Sequence, residues 1–173
     1  IGKNIVFVEI GVLHGGSLQM WRDYFGKQAR IIGVDINPKA KMLEEKGFEI
    51  FIGSQSSENF WNDFYKKVGF VDIVLDDGGH QNAQQIITAF KSIPNINDGG
   101  VFVTEDTHTS YMPSFGNPSK YSFINFVKNK IDKINYRFPE FKDKNSVEKR
   151  IFSISFYESI VALNINSKKS IIP

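Results

Sequence analysis

The chain has 173 residues, of which 41% are hydrophobic, 14% aromatic and 23% charged. Ile, Val, Leu and Phe make up about a third of it, well above the roughly 20% below which chains stay disordered, and no apolar run approaches the roughly 18 residues of a membrane span. A net charge of +2 is too small to announce a nucleic-acid partner, and the absence of cysteine excludes disulfide scaffolds, zinc–thiolate sites and cysteine nucleophiles.

The length fits one domain over residues 1–173, expected in the cytoplasm, with no membrane contact. NIVFVEI (Asn4 to Ile10) reads as a buried strand, followed by a glycine-rich turn, Gly11 to Gly16. Ser17 to Phe25 follows as a helix with Leu18, Trp21 and Phe25 on one face. RIIGVDI (Arg30 to Ile36) is a second strand, and Pro38 and Gly47 suit the start and end of the next helix. Phe48 to Ile52 is a third strand. Ser57 can cap a helix that turns Phe60, Trp61, Phe64 and Val68 inward. Phe70 to Leu75 is a fourth strand, and Ala83, Ile86, Ile87 and Phe90 mark a helix after it. Gly99-Gly100 reads as a turn into a fifth strand, Val101 to Thr104, and Ile124, Val127, Ile131 and Ile134 mark a further helix. Asn135 to Lys149 reads as a surface connection.

Arg150 to Phe156 and Ser159 to Asn164 are strand candidates separated by about two residues, too few for the dozen or more that a parallel crossover needs. They should therefore form an antiparallel hairpin. The expected architecture is α/β: a doubly wound, mostly parallel seven-stranded sheet with one reversed strand in a C-terminal antiparallel hairpin. From Lys120 to Arg150 nine basic residues face four acidic ones, which suits either a solvated surface or a patch attracting an anionic substrate.

In such sheets ligands bind beyond the carboxyl ends of the strands. Strand one ends in Glu9-Ile10-Gly11-Val12-Leu13-His14-Gly15-Gly16-Ser17, whose glycines let the backbone approach an anion. Strand two ends at Asp35, which suits ribose hydroxyls or the start of a helix. Strand three ends in Gly53-Ser54-Gln55, where side chains can reach an adenine edge or form a plain polar turn. Strand four ends in Asp76-Asp77-Gly78-Gly79-His80 and strand five in Glu105-Asp106-Thr107-His108. Two carboxylates about 4 Å apart repel by around 4 kcal/mol at an effective dielectric near 20. Four acids at neighbouring strand tips therefore call for a cation, a shared proton or diverging side chains. Mg²⁺ is the hard cation that such oxygens suit.

At these residues the chain resembles class I S-adenosylmethionine-dependent methyltransferases, and among them the metal-dependent sugar O-methyltransferases of macrolide biosynthesis and their cephalosporin hydroxylase-like relatives. The resemblance rests on VEIGVLHGGS, IGVDI, IGSQS, DIVLDDGGH and VTEDTHTSY and runs from about Ile5 to Ile134. It implies that Glu9, Gly11, Gly15 and Ser17 hold the methionine part of S-adenosylmethionine, that Asp35 holds its ribose and that Gln55 lies near its adenine. Asp76 is placed with these cofactor residues. The resemblance further implies that Asp77, Glu105 and Asp106 bind Mg²⁺ and that His80, beside Asp77, is the general base, with His108 as its rival. Family members carry Asp where this chain has Ser54. They also carry structure before strand one, without which the acceptor side is expected to be open or completed by a partner subunit.

The implied reaction is methylation of a hydroxyl on a sugar or glycosylated small molecule, with Mg²⁺ lowering the pKa of the hydroxyl and an imidazole taking its proton. The segment from Thr107 to about Ser119 is expected to shape the acceptor pocket. A homo-oligomer stays open, and no alternation of arginine and aromatic residues suggests a nucleic-acid groove. Three other readings use parts of the same pattern: an NAD-binding oxidoreductase, which does not need the acidic cluster; a metal-dependent phosphoesterase, which does not need the first loop; and a catalytically silent nucleotide-binding module.

Overall fold

In the computed structural model, which describes residues 4–116, 121–135 and 147–170, the apolar β-branched runs form seven strands of one sheet. They are β1 (Val6–Ile10), β2 (Arg30–Asp35), β3 (Glu49–Ile52), β4 (Val71–Asp76), β5 (Ile96–Thr104), β6 (Ile151–Tyr157) and β7 (Ile160–Ile165). Their order is β3-β2-β1-β4-β5-β7-β6. The first five pair in parallel, whereas β7 runs antiparallel to both β5 and β6. A single reversed strand inside a terminal hairpin is what the short 157–160 connection dictates. Strand order switches direction between β1 and β4, and a crevice opens there at the carboxyl ends.

Alternation along each strand feeds two cores. Val8, Ile10, Ile32 and Val34 pack on one face against Trp61 and Phe64 of α2 (Glu58–Val68), Ala89 of α3 (Asn82–Ser92) and Phe123 and Val127 of α4 (Phe123–Asn135). Phe7, Ile31 and Ile50 pack on the other face against Leu18 and Phe25 of α1 (Gly16–Phe25) and Leu43 of the 3₁₀ segment Pro38–Lys46. Ser57 caps α2 by accepting from the Phe60 N–H at 3.2 Å.

Several expectations need correction. The helix expected between Pro38 and Gly47 is present and takes 3₁₀ form, starting from an Asn37 cap and closing at Gly47 with φ 84°. Strand β5 begins at Ile96 and passes through Gly99-Gly100 instead of starting after them. A Cβ on Gly100 would lie 2.3 Å from the Asp72 carbonyl oxygen, and the β4–β5 register shifts between Val71 and Ile73. The glycine pair is therefore an irregularity within the strand, where two backbones approach closely. In α2 Tyr65 is buried and Phe60 only half-buried.

Helix α3 forms where its apolar spacing marks it, and of that stripe Ile86 and Ile87 pack half-buried against the core. Ala83 and Phe90 are exposed, and the Phe90 ring lies 5.3 Å from that of Phe126 on α4. Apart from Ala89, the buried residues of α3 are polar: Asn82, Gln85, Thr88 and Ser92. The connection expected over 135–149 lies largely outside the described residues, as does the 117–119 end of the segment expected to run to Ser119.

Candidate active site

The first glycine loop and the loop after β4 press against each other. The Asp77 N–H donates to the Ile10 carbonyl at 3.0 Å, and the Glu105 N–H donates to the Asp76 carbonyl at 2.9 Å. Both bonds prolong the ladder one residue past the strands, so Asp77 and Glu105 are held as rigidly as strand residues. Gly11, with φ +85°, has no room for a Cβ, which would sit 2.2 Å from the Asp77 carbonyl oxygen.

The side chains of Asp77, His80 and Asp106 converge, each offering a ligand atom within 4.8 Å of the others. His80 Nε2 lies 3.6 Å from Asp106 Oδ2, and His108 Nδ1 lies 3.8 Å from Asp106 Oδ1. Both separations are too long for a hydrogen bond. His80 Nδ1 is buried without a partner among the described residues, whereas Nε2 is the ring nitrogen that approaches Asp106. Glu105 stands beside this group. Partial burial holds its carboxyl above the usual range, and the charges of Asp77 and Asp106 push it further. Asp77 is raised as well, by burial first, with His80 opposing and Asp106 adding. Crowded acids that resist ionisation form an oxygen donor set that fits a hard divalent cation, with the His80 imidazole beside it.

A cleft of about 510 Å³ opens beside the cluster. Of the sequence-predicted residues Gly11, Asp35, Gln55, Asp77, His80 and Asp106 line it, as does Ser54. Leu13, His80 and Asp106 also line it, with φ of 47°, 57° and 53°. Left-handed backbone at non-glycine residues costs on the order of 1–3 kcal/mol each and clusters at functional sites.

Glu9, Gly15, Ser17, Asp76 and Glu105 are not among the residues that line the cleft. Gly15, φ +79°, packs on Leu43, which a Cβ there would meet at 2.6 Å. Glu9 is buried and accepts from the Ser17 hydroxyl at 2.5 Å. Burial pushes its carboxyl up to about 7, against the Ser17 bond and aided by the charges of Asp77 and Glu105. Asp76 is fully buried and pushed up to about 6 by that burial, with the Gln55 amide opposing. Asp35 Oδ2 accepts from the N–H groups of Val12 and Leu13, both at 3.1 Å, and Oδ1 accepts from Asn37 N–H at 2.8 Å. Asp35 thus ties the glycine loop to the end of β2 while still bordering the cleft.

Sequence reasoning missed the anchors on the polar side of α3. Asn82 Oδ1 accepts from the Ser110 hydroxyl and the Phe123 N–H, at 3.1 and 2.8 Å, and its Nδ2 donates to the Phe115 carbonyl at 3.1 Å. Gln85 Nε2 donates to the Glu105 carbonyl at 3.2 Å. Their signal was present as polar residues at spacing three on one helical face. Ser159, in the β6–β7 turn, also reaches the site. Its carbonyl accepts from Thr107 N–H at 3.0 Å and its hydroxyl meets His108 Nδ1 at 2.6 Å.

No protein-family model matches the chain. Over 121 residues, 65% of its length, it is 38% identical to the 8-demethyl-8-alpha-L-rhamnosyl tetracenomycin-C 2'-O-methyltransferase of Streptomyces olivaceus and covers 31% of it. Over 159 residues, 83% of its length, it is 33% identical to the Mycinamicin VI 2''-O-methyltransferase of Micromonospora griseorubida and covers 39% of it. Its fold matches the MycE methyltransferase of the mycinamycin biosynthetic pathway, solved in complex with Mg and SAH, with a TM-score of 0.88 and 27% identity over 99% of this chain and 48% of that one. The chain therefore spans about a third of the length of these curated relatives. Sheet order, strand-tip cluster and these likenesses place it in one class: it belongs to the class I methyltransferases. Within that class its homologues are sugar O-methyltransferases, macrolide-pathway enzymes among them.

Proposed function

We propose that the protein containing this chain transfers a methyl group from S-adenosylmethionine to a hydroxyl of a sugar or glycosylated small molecule, with Mg²⁺ at the strand-tip cluster and in the cytoplasm. The observation that carries this reading is the convergence of Asp77, His80 and Asp106 at a cleft that Gly11 and Asp35 also line. MycE, which shares the fold, was also solved in complex with Mg, SAH and Mycinamycin VI. Among the described residues no helix is long and apolar enough to cross a membrane.

The roles divide by position. Asp77, Asp106 and Glu105 would hold the ion, and Gly11, Asp35 and the β3 tip would border the cofactor. Bound there, Mg²⁺ supplies Lewis-acid polarisation that lowers the pKa of an acceptor hydroxyl. His80 Nε2 receives the hydroxyl proton. The bond from sulfur to methyl carbon breaks as the bond from oxygen to that carbon forms, which leaves a neutral thioether and a methyl ether. Holding donor and acceptor in line supplies about 7–11 kcal/mol of the barrier reduction.

The test uses the intact protein. Calorimetry with S-adenosylhomocysteine and with NAD, each with and without Mg²⁺, is paired with transfer of radiolabelled methyl to a panel of glycosylated macrolides. We expect S-adenosylhomocysteine to bind, NAD to fail, and EDTA to stop turnover that Mg²⁺ then restores. Full turnover in metal-free buffer, or preference for NAD, rejects the proposal.

A further inference from the structure

Gln55 stands at the tip of β3, where an adenine contact is the expectation, yet its side chain is committed elsewhere. It is only 7% exposed. Its Oε1 accepts from the Gly79 N–H at 2.7 Å. Its Nε2 donates to Asp76 Oδ1 at 3.0 Å and to Thr88 Oγ1 at 3.2 Å. Both amide hydrogens and one of two oxygen lone pairs are thereby used. The amide has only one workable orientation, because the flipped form would set its NH₂ against the Gly79 N–H and its oxygen against the Asp76 carboxylate. The residue is anchored at its backbone too, where the fully buried Trp61 donates Nε1–H to its carbonyl at 2.9 Å.

Those bonds land on the segment that carries two members of the cluster. The loop after β4 is pinned at Asp77 by the Ile10 carbonyl, 3.0 Å away, and two residues later at Gly79 by Gln55. His80 follows immediately, in left-handed backbone with φ 57°. The Gly-Gly pair makes room for this clamp. A Cβ on Gly78 would lie 2.2 Å from Gln55 Oε1, and one on Gly79 would lie 2.3 Å from Gln84 Oε1. The glycines of DDGGH accommodate two glutamine side chains of this chain.

We propose that Gln55 is a positioning residue for the ion site, setting the spacing between Asp77 and His80 through the Gly79 amide. This rests on the proposed Mg²⁺ site. It differs from the expected role beside adenine, for which the amide keeps no free N–H and a single oxygen lone pair. Groups that orient metal ligands in this way typically contribute 10–100-fold to metal affinity or activity.

The test titrates Mn²⁺, a paramagnetic substitute for Mg²⁺, into the intact protein by electron paramagnetic resonance, with S-adenosylhomocysteine affinity measured in parallel. Gln55→Met keeps the shape and removes the amide. We expect Mn²⁺ affinity and kcat to fall about 10–100-fold, hydrogen exchange at the Gly79 amide to accelerate, and S-adenosylhomocysteine affinity to stay within about threefold of wild type. Loss of S-adenosylhomocysteine affinity with Mn²⁺ binding intact overturns the proposal in favour of an adenine contact. No change in either affinity overturns it in favour of plain packing.

Should Gln55→Met not fold, Gly78→Ala displaces the same amide by steric contact at a position without left-handed backbone. Its effect on Mn²⁺ binding should disappear when Gln55→Ala has already vacated the space, a coupling that a double-mutant cycle reads directly. Additive effects overturn the proposal. Wild-type protein that binds S-adenosylhomocysteine but no divalent ion rejects the Mg²⁺ site itself, and this inference with it.

Discussion

A methyl group placed on Gly11 would lie 2.2 Å from the carbonyl oxygen of Asp77. The loop after β1 and the loop after β4 are thus in close backbone contact. Gly11→Ala meets that contact and also a φ of +85°. Overpacking costs roughly 1–3 kcal/mol and left-handed backbone about 1–2 more. We expect loss of both S-adenosylhomocysteine and Mn²⁺ binding, with a lowered melting temperature. Calorimetry that shows only one affinity lost would separate the loops.

Asp106 has φ 53°, a conformation that asparagine tolerates. Asp106→Asn therefore keeps the backbone and removes one charge between His80 and His108. Metal affinity should fall by at least the roughly 10–100-fold lost when a group that merely supports a ligand is removed, and methyl transfer with it, while S-adenosylhomocysteine affinity stays within about threefold. A variant with full turnover would remove Asp106 from the ion site.

Asp77 and Glu105 both hold their protons to higher pH than ordinary carboxylates. A divalent ion must displace those protons. Its affinity should therefore rise with pH across and above the usual carboxylate range, and binding should release protons. Calorimetry in two buffers of different ionisation enthalpy measures this. A binding enthalpy that does not depend on the buffer contradicts it.

Glu9 titrates at about 7 in the folded protein, against 4.5 as the reference. The folded state therefore keeps its proton where the unfolded state has lost it. Stability contributed by protonated Glu9 is complete below pH 4.5 and is lost as pH rises to about 7, a change on the order of 3 kcal/mol. Asp76 acts with the same sign between 3.8 and about 6. Metal-free protein should thus resist urea less at pH 8 than at pH 5. Glu9→Gln should match wild type at low pH and exceed it at pH 8. Parallel curves for the two proteins would show that Glu9 does not carry the effect.

Asn82 holds Ser110, Phe115 and Phe123 through one buried amide. Asn82→Leu leaves those three partners unsatisfied, at about 1–3 kcal/mol for each that water cannot reach. We expect a marked fall in melting temperature and, in protein that still folds, a higher KM for the acceptor. An unchanged KM would uncouple the 107–116 segment from acceptor binding.

Much of the architecture was legible in the chain. Apolar β-branched runs separated by helical spacings are enough for a parallel sheet, and the two-residue gap before Ile160 is enough for the reversed strand. The acids and histidines of DDGGH and EDTH were legible as candidates because each directly follows such a run. The glycines were harder to interpret. Gly99-Gly100 has the look of a turn, and only the nearness of the Asp72 carbonyl reveals an irregular strand. In α3 the apolar spacing marked the helix. It did not show that only Ile86 and Ile87 of that stripe pack on the core while Phe90 stays exposed, because periodicity marks the sides of a helix without saying how far each is covered.

Residue order determines which chemistry arrives at each strand tip, since alternation and turn signals are local properties of the chain. Whether a given side chain faces the cleft or is spent inside the protein is decided only by packing. Asp35 and Gln55 read along the chain as ligand contacts or as local helix-start and turn residues, and both border the cleft. In three dimensions Asp35 bonds three backbone N–H groups, and Gln55 clamps the loop between Asp77 and His80. A polar group's bonding capacity is finite, and partners 21 to 33 residues away in sequence claim it only when the sheet brings them together.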